Sequence, residues 1–77
     1  MNIAEKVSVH GNLPDETKND LEYMLVRYKL DNPERNICGA VPIIKNALAG
    51  YGVTANLETN ETPYSISVVV SNIRHTL

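Results

Sequence analysis

Cys38 is the one thiol of the chain. A reactive thiol needs a depressed pKa and a basic neighbour. Cys38 instead lies in the apolar stretch Ile37-Cys38-Gly39-Ala40-Val41, and reads as a small packed side chain. His10 and His75 are the only histidines. Even if they met in space, a metal would need third and fourth ligands of the right type, and no HExxH-like pair supplies them. Asp15, Glu16, Asp20 and Glu22 read as solvated charges at a helix start rather than as acid or base catalysts. Ser65, Ser67 and Ser71 lack a His/Asp set to activate them. Gly50-Tyr51-Gly52 precedes a strand pattern, whereas phosphate loops open a helix. No catalytic set, metal site or cofactor is expected, and the chain reads as non-enzymatic.

Charge narrows the partners. Seven Lys and Arg face nine Asp and Glu, for a net charge of −2. The cations are scattered, with no basic run to neutralise phosphates, so nucleic acid is not an expected partner. No apolar run approaches the ~20 residues that span a membrane, and Met-Asn-Ile-Ala-Glu-Lys is unlike a secretory signal. A soluble, cytoplasmic protein is expected.

At 77 residues the chain forms one small α+β domain, residues 1–77, with a thin core. It has no Trp and no Phe, and four Tyr. Val7 and Val9 alternate with Ser8 and His10, predicting a strand over Glu5–His10. Gly11-Asn12 breaks it, and Pro14 can open a helix. That helix runs from Pro14 to Leu30. Leu21, Met24, Leu25 and Tyr28 form one apolar stripe, and Tyr23, Val26 and Leu30 a second. One stripe docks a helix on a sheet. The second implies a further helix or another subunit.

Asp31-Asn32-Pro33-Glu34 is a break and restart, with Asn32 or Asp31 as cap of the next helix. Ile37, Val41, Ile44 and Leu48 share one face of a helix over Arg35–Ala49. Pro42 must kink or split it, which reads as a short turn before Pro42 and a firmer helix from about Pro42 to Ala49, and Gly50 is the expected left-handed cap. Val53, Ala55 and Leu57 alternate with polar residues in a strand. Thr59–Thr62 is the expected turn. The last strand spans Tyr64–Ile73, with Tyr64, Ile66, Val68 and Val70 on one side.

The order β-α-α-β-β predicts a three-stranded mixed sheet, order 1-3-2, with both helices on one face and the second helix kinked at Pro42. The long, uncharged last strand belongs in the centre, because as an edge it would invite aggregation. The outer sheet face then carries Ser8, His10, Thr54, Asn56, Glu58, Ser65, Ser67, Val69 and Ser71.

Val7-Ser8-Val9-His10-Gly11-Asn12-Leu13-Pro14, followed by Thr17, Asp20-Leu21 and Tyr28, resembles the opening of an RNA-recognition motif domain. The likeness covers residues 7–28, less than a third of the chain. Membership would imply RNA stacked on aromatic side chains of the sheet. Ser8 stands where the first-strand aromatic is expected, and no Gly-Phe-x-Phe strand follows. The next segment is helical where that family has two strands.

Three functional expectations result. The first is stoichiometric binding of a protein partner, as an inhibitor or accessory factor of the kind phages and mobile elements encode. The chain would be a homodimer or higher oligomer, with Tyr23, Val26, Arg27 and Leu30 as the interface. The second is an oligomer with pockets between subunits for an anionic, nucleotide-like ligand. There Ser8, His10, Asn56, Ser65 and Ser67 would line the ligand face, with Arg27, Arg35 or Arg74 against the charge. RNA binding is the third.

Overall fold

The computed structural model describes residues 6–76, so the expected strand start at Glu5 lies outside the described residues. The elements are β1 (Lys6–His10), α1 (Asp15–Asp31), a short 3-10 turn (Ile37–Ala40), α2 (Val41–Gly50), β2 (Val53–Glu61) and β3 (Ser65–His75). The sheet order is β1-β3-β2, with β1 parallel and β2 antiparallel to β3. The expected α+β class and strand order are the observed ones. No helix among the described residues is long and apolar enough to cross a membrane.

The alternation read from the sequence sets the core. Val9, Ile66, Val68 and Val70 are buried on the face of the sheet that meets the helices. Leu21 and Leu25 of α1, Ile37 of the 3-10 turn, and Ile44 and Leu48 of α2 close over them. Each fully buried aliphatic side chain contributes roughly 1.5–3 kcal/mol, which makes these the main stabilising contacts of so small a domain. α1 packs over β1 and α2 over β2.

Pro42 does not kink a helix. α2 begins at Val41, so Pro42 lies in its first turn, where a backbone N–H has no partner within the helix. The residues before it form the separate 3-10 turn, so the expected split into a short turn and a firmer helix is the observed one. Asn36 caps that turn, its side chain accepting from Cys38 N at 2.9 Å. Asn32 caps the other way from expectation. Its backbone N–H and its Nδ2 both donate to Tyr28 O, at 2.8 and 3.1 Å, and end α1. Gly39 allows the turn to approach α1, because a Cβ there would collide with the Tyr28 hydroxyl.

At the end of α2 the left-handed residue is Gly52, with φ 75°, rather than Gly50. β2 continues through the expected turn to Glu61, and the reversal falls at Thr62–Ser65. The Thr62 hydroxyl accepts from both Tyr64 N and Ser65 N, which holds the turn there. Tyr64, expected on the inner face, is therefore 73% exposed in the turn. Asn72 has φ 52° and sits in a bulge, where β3 spends an extra residue between the pairs Thr54–Arg74 and Asn56–Ser71. The bulge returns Ile73 to the core side.

Candidate interaction surface

The residues of the second α1 stripe stand on the outside of the molecule. Tyr23 is 66% exposed and Leu30 52%; Arg27 is exposed and Val26 half-buried. The buried stripe Thr17, Leu21, Leu25 and Lys29 fixes this, because helical spacing turns residues 23 and 30 away from it. Tyr23 and Arg27 line a groove of about 280 Å³ with Met24, Tyr28, Asp31, Asn32 and Ile43. Val26 and Leu30 adjoin it on the outer helix face but are not part of its lining. Ile43, 48% exposed, completes the groove from α2. Sequence reasoning missed it. Its signal is an isoleucine one position off the Ile37/Ile44/Leu48 face, in a helix opened by proline.

A second link joins the two helices nearby. The hydroxyl of Tyr51, the residue that follows α2, donates to Asp20 Oδ2 of α1. That hydrogen bond and the Asp20 charge push the Tyr51 phenol above its ordinary pKa. The surface that results is an apolar groove whose rim carries Arg27 and Asp31.

The residues expected as a ligand face lie on the outer side of the sheet. Cross-strand rows run Ser8–Ser67–Asn60 and His10–Val69–Glu58. Ser8 Oγ lies 3.2 Å from His10 Nε2, on an open surface. Ser65 and Ser67 are half-buried on the central strand, and Asn56 is exposed on β2. The described residues of this face include no Phe, Tyr or Trp, and the ring it carries is the His10 imidazole.

The three arginines named for an anionic ligand sit in three separate hollows of the molecule. Arg27 belongs to the α1 groove. Arg35 lines a hollow of about 370 Å³ with Lys29, Glu34, Glu61 and Thr62. Arg74 lines one of about 310 Å³ with Thr54, Ala55, Asn56 and Asn72. Cys38 is exposed rather than packed, because the 3-10 turn aims Ile37 and Ala40 inward and Cys38 outward. The described residues hold no group of three or more metal-ligating side chains.

Lys29 and Glu61 form the ion pair that sequence reasoning did not find. Lys29 Nζ lies 2.8 Å from Glu61 Oε2 and donates to Arg35 O at 2.6 Å. Glu61 Oε1 accepts from Ile37 N at 2.7 Å. No family model, curated protein or solved structure matches this chain.

Proposed function

We propose that this chain is a non-enzymatic interaction protein that binds a protein partner stoichiometrically through the outer surface of α1 and the adjoining edge of α2. The observation that carries this reading is the exposure of Tyr23, Leu30 and Ile43 around one groove of the helical layer. A small domain with a thin core stabilises itself by burying such side chains, and leaving three large ones in water favours a surface kept for binding. Tyr and Arg are the residue types that most often anchor binding energy, and Tyr23 and Arg27 stand one helical turn apart on the rim. An inhibitor or accessory factor acts by this kind of contact.

The test is affinity capture from lysate of the source cells, comparing the wild type with Tyr23→Ala and Arg27→Glu. Both residues are exposed, so both variants should keep the wild-type fold within about half a kcal/mol. The reading predicts a partner retained in equimolar amount by the wild type and lost by both variants. Retention by both variants would move the interface elsewhere.

A second reading keeps one specific observation. The hollow at Thr54, Asn56, Asn72 and Arg74 presents a guanidinium beside amide and hydroxyl groups, which favours a small anion. A thermal-shift screen with nucleotides and inorganic phosphate tests it, since a ligand for the folded state raises its stability by mass action. A shift abolished by Arg74→Gln would support a ligand-binding role over partner binding.

A further inference from the structure

β2 is an edge strand of nine residues, and its hydrogen-bonding parity can be worked out from its two ends. At one end Thr62 N donates to Ser65 O at 2.8 Å, so residues 62 and 65 are a hydrogen-bonded pair. Alternation along an antiparallel ladder then makes Asn60–Ser67, Glu58–Val69 and Asn56–Ser71 bonded pairs. Glu61–Ile66, Thr59–Val68 and Leu57–Val70 are the non-bonded pairs between them. At the other end, beyond the bulge, Thr76 N donates to Gly52 O at 2.7 Å, which makes Thr54–Arg74 bonded and Val53–His75 not. Both ends give one answer. Val53, Ala55, Leu57, Thr59 and Glu61 aim their backbone N–H and C=O groups away from β3, at the open edge.

No backbone group of the described residues bonds to that edge outside the sheet. Val53–Glu61 contains no Pro, Lys or Arg, its charges are Glu58 on the outer face and the Lys29-paired Glu61 at its end, and the bulged residue lies on β3. The inner-face side chains Ala55, Leu57 and Thr59 are only half-buried, as expected where the core stops at an open edge.

We propose that the chain forms a two-fold homodimer by antiparallel pairing of β2 with β2 of a second copy, centred on Leu57. Leu57 is the midpoint of the strand and has outward-pointing backbone groups. Pairing about it brings all nine residues into register, with up to about ten new backbone hydrogen bonds. Leu57 meets its own copy on the inner face, which completes its burial. On the outer face Asn56 stands opposite the partner's Glu58, twice by symmetry, as an amide donor to a carboxylate. Thr54 stands opposite the partner's Asn60. The neighbouring register, centred on Glu58, would set two glutamates directly opposite each other and is disfavoured. Charge therefore selects the register that the backbone also prefers. The dimer is a continuous six-stranded sheet with both helical layers on one face, and it leaves the α1 groove free.

Sedimentation velocity over a concentration series from low to high micromolar tests this. The wild type should sediment as a species of twice 8.5 kDa that dissociates on dilution. Asn56→Asp places a like charge opposite Glu58 at both symmetric positions, and should weaken the dimer about tenfold. Asn56→Lys should tighten it by a similar factor. Thr59→Pro removes an outward N–H and should be a folded monomer, a change that an edge position tolerates. Should Thr59→Pro fail to fold, the two exposed Asn56 variants decide the question between them. A wild type that stays monomeric throughout, an assembly larger than a dimer, or a dimer unmoved by the Asn56 variants would each overturn the proposal. None of these results depends on partner binding at Tyr23 and Arg27.

Discussion

Lys29 near the end of α1 and Glu61 at the end of β2 meet as an ion pair, Nζ to Oε2 at 2.8 Å, with side chains only 10% and 19% exposed. The pair is tied further into the backbone at Arg35 O and Ile37 N. It clamps the loop between α1 and the 3-10 turn against the β2–β3 hairpin. Such a pair is weak evidence of net stabilisation, but removing one partner strands the other. Glu61→Gln should therefore lower stability by about 2–3 kcal/mol. Denaturant unfolding measures it. A loss below half a kcal/mol would mean that Lys29 turns out to solvent and the clamp is dispensable.

The same pair gives a pH dependence. Burial pushes the Glu61 carboxyl up, but the Lys29 ammonium and the Ile37 N–H outweigh it and hold the group below its ordinary 4.5. A carboxyl with a depressed folded-state pKa contributes its full stability above the unfolded value. It loses that contribution as pH falls through the folded value. Wild-type stability should thus decline below about pH 4.5, and Glu61→Gln should show a shallower decline over the same range. Parallel pH profiles for the two proteins would assign the acid sensitivity to other carboxylates.

Strand parity is tested at neighbouring positions of β3. Val68 is 1% exposed and Val69 is 42% exposed, on opposite faces of the central strand. Val68→Asp should abolish folding, because an unpaired buried charge costs several kcal/mol against a total of roughly 5–15. Val69→Lys should fold normally, since residue 69 stands opposite Glu58 on the open face. Circular dichroism and thermal melts separate the outcomes. A folded Val68→Asp or an unfolded Val69→Lys would reverse the assigned faces.

Gly39 is required by a close approach rather than by its backbone angles. A Cβ there would meet the Tyr28 ring at Cζ 3.2 Å and collide with the hydroxyl beyond it. Gly39→Ala should cost about 1–3 kcal/mol by overpacking. Tyr28→Phe removes the offending oxygen, and combined with Gly39→Ala should recover part of that loss. A double-mutant cycle checks the coupling, and additive losses would mean the two residues do not touch.

The fold was legible because its signals are local. Period-2 alternation marked Val7/Val9 and Ile66/Val68/Val70, and Gly11-Asn12, Pro14 and Pro42 punctuated the helices. Strand order followed from the uncharged length of the last strand. The errors fall where a distant partner or a side-chain cap decides. Nothing in the sequence around Lys29 points to Glu61, which arrives from 32 residues away to neutralise it. Glu61 itself looked like a turn residue, because the Thr62 hydroxyl that stops the strand acts one residue later. The Asn72 bulge follows from pairing with β2, which periodicity within β3 cannot reveal. At the surface, the periodicity of α1 found Tyr23, Arg27 and Leu30. Ile43 joins them only once α2 is placed beside α1.

Site-specific photo-crosslinking in the source cells tests the binding surface most directly. A photoreactive phenylalanine analogue is introduced at position 23 on the α1 rim, and in a separate protein at position 60 on the outer sheet face. Binding through α1 predicts one discrete covalent adduct from position 23, larger than two copies of the chain or of distinct composition by mass spectrometry. It should be absent from position 60 and lost when Arg27→Glu is added. An adduct with a different protein, rather than with a second copy of this chain, formed from position 60 alone, or one from position 23 that persists unchanged with Arg27→Glu, would contradict it.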